Sequence, residues 1–441
     1  MTQKVSRPLQ RMLKPSSGPK IRIQIDGGPD YAGYYTNGDL IKGTISFTVQ
    51  EETHVESLEV RAEGTIRTVV SQSSFPSSSG LQQNFRLVHH GLDLGQRIFP
   101  RGQVHHYDFA FRIPDRLPSW TCANVNDSPE TSHSMIPPTL GDLDLEDPDS
   151  TWGDDLMPKN GMICYRVCAT ARGCSTARSP KRRAISVAQP IRVIPIVGMQ
   201  KFDFACQLPI DMVQKEVAIK NSRLGGRASG TLHVECHPKP IEVYGGSKSG
   251  NSTVTLLLSF YPRCETDLPP RLGSLRSKLV SHTALGARGM TAPDSESSKS
   301  CCPPSQRCIY TNDTVFPTRD VSGIRWSQSD TRIRSFHDST STLPVGAEKQ
   351  WRSGNDVPSD QGLFYTAEVT LPIIPQEGKV YVPSFDSCLA SRFYTLELDL
   401  SYHCARQGLN RPRITLSVPV LVRWHGKPLS ISSDICDNAV P

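Results

Sequence analysis

Apolar and polar residues alternate with period two along most of the chain. From Tyr394 onward, Leu396, Leu398, Leu400 and Tyr402 alternate with Thr395, Glu397, Asp399 and Ser401. Successive strand side chains point to opposite faces, so this segment predicts a strand of an antiparallel sheet, with one face on a core and the other toward water or a second layer. The first half repeats the pattern: Ile21, Ile23 and Ile25; Ile41, Gly43, Ile45, Phe47 and Val49; Leu58, Val60, Ala62, Gly64 and Ile66. Tyr107, Phe109, Phe111 and Ile113 follow, then Ile163, Tyr165, Val167 and Ala169, and residues 184–196 predict a further strand pair. Glycine, proline and asparagine turns separate these runs, and no long amphipathic helix interrupts them. Repeated short strands without helices predict an all-β sandwich, two sheets burying their facing sides.

A second series starts near residue 199, with Leu232, Val234 and Cys236, then Val254, Leu256, Leu258 and Phe260. It stops at residue 266 and resumes with Leu363, Tyr365, Ala367, Val369 and Leu371, ending on Ile414, Leu416, Val418 and Val420. Residues 266–360 are rich in Ser, Pro, Arg, Asp and Gly, a composition too poor in apolar surface to offset about 1 to 2 kcal/mol of backbone entropy per residue. They are expected to form a mostly disordered insertion within the second unit. The expected organisation is a basic disordered arm over 1–19, one β-sandwich lobe over 20–198, a second over 199–425 holding the insertion, and a short tail over 426–441.

Length and composition narrow the class. A chain of 441 residues suits two or three domains. Apolar runs such as residues 254–258 fall far short of the roughly 20 residues that span a bilayer. The first twenty residues hold five basic and no acidic side chains, with no apolar core of the secretory kind. Thirteen cysteines, scattered from Cys122 to Cys436, then point to reduced thiols in the cytosol rather than a disulfide framework. A net charge of +6, from 49 basic and 43 acidic residues, gives nucleic-acid binding no support.

Candidate chemistry is sparse. His233, Glu235 and His237 project from one strand face at a spacing two metal ligands could use, but no fourth ligand is indicated, and a polar strand face is the simpler reading. The pairs His89-His90 and His105-His106 point to opposite sides of a strand and read as surface features. Cys301, Cys302 and Cys308 lack the second Cys or His pair of a structural zinc site. Residues 245–250, Gly-Gly-Ser-Lys-Ser-Gly, lack phosphate-loop spacing and are expected to be a hairpin loop between residues 241–244 and 253–260. No nucleophile elbow or catalytic carboxylate pair stands out, so no catalytic, cofactor-binding or metal residue is assigned and an enzyme is not expected. Two charged features remain. Between Asp127 and Asp155 there are nine acidic residues and no Lys or Arg; Asp142, Asp144, Glu146, Asp147 and Asp149 form either a solvated loop or a contact for basic cytoplasmic tails. Ser179, in Ser-Pro-Lys-Arg, is a candidate site for a proline-directed kinase.

Several segments resemble a known family when taken in order. Ile21-Arg-Ile-Gln-Ile-Asp26, Tyr34-Tyr35, Asn37-Gly-Asp39, Ile41-Lys-Gly-Thr-Ile45 and Ser57-Leu-Glu-Val-Arg-Ala-Glu-Gly64 are similar to the arrestin N-terminal lobe. Pro100-Arg-Gly102, Phe109-Ala-Phe-Arg-Ile-Pro114, Leu117-Pro118, His133-Ser-Met-Ile-Pro-Pro-Thr-Leu-Gly-Asp142 and Ile163-Cys-Tyr-Arg-Val-Cys-Ala169 resemble matching stations of fungal α-arrestin-like proteins. The turn Tyr381-Val-Pro-Ser-Phe385 feeding Ser391-Arg-Phe-Tyr394 resembles their late C-terminal-lobe strand. The resemblance spans about residues 20–425 and implies two tandem antiparallel β-sandwich lobes, immunoglobulin-like and of arrestin type. It further implies a non-enzymatic adaptor, cytoplasmic and recruited peripherally to the plasma membrane or endosomes. Such an adaptor binds cytoplasmic tails of membrane transporters or receptors and promotes their ubiquitin-dependent endocytosis and sorting. The chain departs from the α-arrestin pattern in one respect: its diprolines at 137–138, 269–270 and 303–304 are followed by Thr-Leu, Arg-Leu and Ser-Gln, so there is no Pro-Pro-x-Tyr for WW domains. A ubiquitin ligase is therefore expected to be engaged indirectly, through another arrestin-like protein. The alternatives are a trafficking scaffold of the same fold that recruits no ligase and, third, a β-sandwich enzyme.

Overall fold

The computed structural model describes residues 19–26, 34–71, 78–95, 97–117, 136–141, 153–158, 161–177, 179–196, 213–220, 228–237, 239–244, 252–286, 307–330, 363–374, 376, 378–386, 390–403 and 412–425. Its first nine strands are β1 (Lys20–Ile25), β2 (Leu40–Thr48), β3 (Thr53–His54), β4 (Ser57–Ser71), β5 (Ser78–Leu92), β6 (Ile98–Phe99), β7 (Val104–Arg112), β8 (Gly161–Thr176) and β9 (Ser179–Ile191). They form a three-stranded sheet, β1-β2-β7, and a six-stranded sheet, β5-β4-β8-β3-β6 with β9 on β8. All of these strand pairs are antiparallel.

The second series comprises β10 (Val213–Lys220), β11 (Ala228–Cys236), β12 (Ile241–Tyr244), β13 (Ser252–Pro262), β14 (Arg271–Gly286), β15 (Arg307–Val315), β16 (Arg319–Asp320), β17 (Ser327–Asp330), β18 (Leu363–Ile373), β19 (Phe385–Asp386), β20 (Ala390–His403), β21 (Arg413–Val420) and β22 (Val422–His425). One sheet runs β10-β11-β13-β18-β17, a second β15-β14-β20-β19 with β16 on β14 and β21 on β20, and β12 pairs with β22. No sheet mixes strands of the first nine with later ones, so the molecule is all-β with tandem sandwich lobes.

Alternation translates directly into burial. Ile41, Ile45 and Phe47 of β2 and Leu396, Leu398 and Leu400 of β20 are all buried. Gly43 sits on the same inward row because nothing larger fits: a Cβ there would lie 2.3 Å from the Gln24 carbonyl oxygen of β1 and 2.7 Å from the Phe109 ring of β7. The carbonyl belongs to the paired strand and cannot step aside. Gly43→Ala is therefore expected to cost about 1–3 kcal/mol by overpacking, read as a lowered urea midpoint at unchanged slope.

Several expectations need correction. Residues 266–360 are not an unstructured insertion throughout: β14, β15, β16 and β17 lie inside them, and β14 is a 16-residue strand between β15 and β20. Its buried row reads Leu275, Ser277, Leu279, Ser281, Thr283, Leu285, so hydroxyls break the apolar periodicity that would have marked it. Ser281 satisfies its hydroxyl by donating to the Asn312 carbonyl at 3.1 Å, which lets a polar side chain occupy a core row. Residues 287–306 and 331–362 lie outside the described residues. Residues 184–196 form not a strand pair but the end of β9, after which Val193 bridges Tyr35. Residues 245–250 lie outside the described residues; the strand before them, β12, pairs not with β13, as the expected hairpin requires, but in parallel with β22, Ile241 opposite Val422. His105 is not a surface residue either. It lies opposite Phe47, on the inward row, with its ring edge-on to Phe99 at 4.8 Å.

Candidate functional site at the interlobe junction

Two segments that carried the family resemblance are linked between the lobes through residues 153–158. In the first, Ile136, Thr139 and Leu140 are buried under β8. The Tyr165 hydroxyl donates to the Pro137 carbonyl at 2.6 Å, and Thr139 exchanges bonds with Val193, its hydroxyl accepting from the Val193 N–H at 2.8 Å. Gly141 ends this segment, and its N–H donates to the Asp155 carboxylate at 2.7 Å. Asp155 belongs to residues 153–158, which leave the first lobe and insert into the second. There the Asp154 N–H donates to the Gly378 carbonyl at 2.8 Å and the Asp154 carbonyl accepts from Val380 at 2.9 Å, a parallel bridge between lobes.

Arg392 of β20 receives this insertion. It is fully buried and the largest such side chain among the described residues. Its guanidinium donates to the carbonyls of Asp155 and Leu156, the latter at 3.0 Å, and to the Thr283 hydroxyl of β14 at 2.7 and 3.1 Å. The Met157 sulfur lies 3.8 Å away. Asn312 of β15 donates to the same Leu156 carbonyl at 2.9 Å, so that oxygen holds two donors of the second lobe. Leu156 is the only non-glycine residue with positive φ, at 60°, among the described residues. Such a conformation costs on the order of 1–3 kcal/mol and persists only where surrounding bonds impose it; here the Leu156 N–H donates to the Asp154 carboxylate at 2.8 Å while its carbonyl is held from the other lobe.

The electrostatics follow from this geometry. Burial works to raise the pKa of Asp154, but the Lys379 ammonium bonded to it, the Leu156 N–H, and the charges of Lys379 and Arg392 outweigh burial and hold the carboxyl below the usual range. Burial pushes the phenol of Tyr394, two residues along β20 from Arg392, up to about 12. It also lowers the pKa of His282, with Glu397 opposing. His282 stacks on Phe393 at 4.6 Å and its ring nitrogen lies 3.0 Å from the Thr395 hydroxyl. An open groove of about 770 Å³ runs over the junction, lined by Asp154 and Leu156 of the first lobe and Lys278, His282, Asn312 and Lys379 of the second. Its charges are paired internally, Lys278 with Glu397 at 2.9 Å and Lys379 with Asp154.

A second seam joins the lobes through the proline-serine-phenylalanine turn. Val382, Ser384 and Phe385 are buried. Tyr394 donates to the Val382 carbonyl at 2.9 Å, the Ser384 hydroxyl accepts from Val422 at 3.0 Å, and the Trp424 indole donates to the Tyr381 carbonyl at 2.7 Å. Trp424 in turn meets Tyr34 of the first lobe edge to face, centroids 5.2 Å apart.

The residues singled out from sequence are placed as follows. Asp142, Asp144, Glu146, Asp147 and Asp149 lie outside the described residues, between Gly141 and Gly153, both of which are at the junction. Ser179 opens β9 opposite Thr176, and its side chain lies outside the described residues. His233 lies 3.1 Å from Glu216 and edge-on to Tyr261, 5.2 Å between centroids; Glu235 is half-buried and His237 exposed. Among the described residues no group of three or more His, Cys, Asp or Glu is placed to hold a metal ion. Cys301 and Cys302 lie outside the described residues; Cys308 falls in β15, its side chain also outside them. Arg392, Leu156 and Trp424 were not singled out. For Arg392 a signal exists: it shares the parity of Tyr394, Leu396 and Leu398, so a charge stands on an inward row. No protein-family model matches the chain, and no curated protein matches it either.

Proposed function

We propose that the chain is a non-enzymatic arrestin-like adaptor, cytoplasmic and recruited to the plasma membrane or endosomes, that binds cytoplasmic tails of transporters or receptors and promotes their ubiquitin-dependent sorting. The observation that supports this most is the junction: residues 153–158, bonded to Gly141 on the first-lobe side, insert against Arg392 and residues 378–380 of the second lobe and hold one lobe against the other. A joint held by a few buried polar bonds around a strained residue suits a protein whose lobes reorient on binding. The acidic segment with Asp142 and Asp149 connects Gly141 to Gly153, and on this reading it is the contact for basic tails. A ligase would be engaged through another arrestin-like protein.

A second reading, a trafficking scaffold that recruits no ligase, is favoured by the residues after the diprolines, which match no WW ligand. Proximity labelling with the full-length chain in cells separates the two. Transporters or receptors together with a ubiquitin ligase are the expected neighbours, while an isolated WW array fails to bind the purified chain. Coat subunits without a ligase would favour the scaffold, and absence of membrane cargo altogether would overturn both readings.

A further inference from the structure

One end of the first lobe carries a surface that the junction leaves unused. The connection from β6 to β7 reads Arg97-Ile-Phe-Pro-Arg-Gly-Gln-Val104. Phe99 turns into the core, its ring 5.4 Å from Phe47, whereas Ile98 and Val104 are 58% and 50% exposed. Gly102, at φ 80°, closes the turn by donating to the Val49 carbonyl at 2.8 Å, which holds both apolar side chains in place. Arg97 and Arg101 beside them are exposed and make no ion pair among the described residues.

Strand register brings a second basic run to the same end. Phe99 pairs with Thr53, Thr53 with Thr176, and Thr176 with Ser179. Adjacent strands are about 4.8 Å apart, so β9 starts roughly 15 Å from β6. The start of β9 exposes Lys181, Arg182 and Arg183. Arg182 is bound to Glu56, while Lys181 and Arg183 have no ion-pair partner among the described residues. Among the described residues nearby, Glu51, Glu52, Glu56 and Asp93 stand against Arg97, Arg101, Lys181, Arg182 and Arg183, so basic groups are in excess.

We infer that this end of the first lobe docks on an anionic lipid bilayer. Ile98 and Val104 would enter the boundary between headgroups and acyl chains, and Arg97, Arg101, Lys181 and Arg183 would lie on the headgroups, their aliphatic stems along the apolar surface. An acidic soluble peptide would satisfy the cations but leave Ile98 and Val104 in water, which is why the bilayer is the better fit. The inference stands on these residues and not on the adaptor reading.

Flotation of the full-length chain with vesicles of phosphatidylcholine, with and without about one-third phosphatidylserine, tests it. Binding is expected only with phosphatidylserine, and weaker at high salt. Each neutralised charge should weaken partitioning about fivefold, so Arg101→Gln with Lys181→Gln should lose about 25-fold. Ile98→Ser should weaken it severalfold without changing charge, and Lys215→Gln on β10 should leave it unchanged. All these side chains are exposed, so the melting temperature stays constant and folding is not in question. No binding, equal binding by the charge variant, or equal loss in Lys215→Gln would overturn the inference. So would an unaffected Ile98→Ser with polyglutamate competing for the chain, which would mean a soluble acidic partner.

Discussion

Arg392→Ala is expected to lower the stability of the protein by about 3–5 kcal/mol, because buried acceptors lose their charged donor and a large buried side chain leaves a cavity. The Asp155 carbonyl loses the donor it has in Arg392, and the Thr283 hydroxyl loses two charged donors. Each such buried acceptor costs about 1–3 kcal/mol when left unmet. Asn312 still reaches the Leu156 carbonyl, so the insertion is weakened rather than abolished. Arg392→Lys should fall between, because one ammonium cannot span acceptors on two lobes as a planar guanidinium does. Denaturant unfolding decides the matter, and the altered slope expected in Arg392→Ala separates loss of interlobe coupling from a simple weakening of the second lobe.

Trp424→Ala is the other large effect, about 3–5 kcal/mol as for other buried aromatic truncations. The indole is nearly fully buried, donates to the Tyr381 carbonyl, and packs against Tyr34. Removing it opens a cavity on the first-lobe side and leaves a buried carbonyl without that donor. Trp424→Phe keeps most of the volume but not the N–H, so it should recover most of the loss and leave about 1 kcal/mol, the net value of one hydrogen bond. A ladder of melting temperatures, wild type above Phe above Ala, is the expected result; equal values for Phe and Ala would mean that volume has no part in it.

Much of this architecture was legible in the pattern of residues, because antiparallel sheets with one dry face write their period into the chain. The inward rows of β2, β4, β7, β13, β18 and β20 were all readable from alternation. The strand β14 was not, since Ser277, Ser281 and Thr283 stand where apolar residues would have announced it, and the groups that meet Ser281 and Thr283 come from other strands. The parallel pairing of β12 with β22 joins residues about 180 positions apart, and short-range turn chemistry carries no trace of it. At the junction, the segments were visible but their use was not. The serine-arginine-phenylalanine-tyrosine string pointed to a strand; that its arginine faces inward follows from parity alone, while the carbonyls it meets lie more than 230 residues earlier. Leu156 gave no sign, because a left-handed leucine is imposed by its surroundings rather than by its own preference.

The claim that Arg392 fixes the two lobes against each other is tested most directly by amide hydrogen exchange over residues 153–158 and 378–382. The Asp154 and Val380 N–H groups bond across the lobes, so both peptides should be protected in the wild type. In Arg392→Ala that protection should fall together at both peptides while β4 and β8, within the first lobe, exchange as before. Unchanged protection at residues 153–158 in the variant would contradict the account, as would a loss spread equally over every strand.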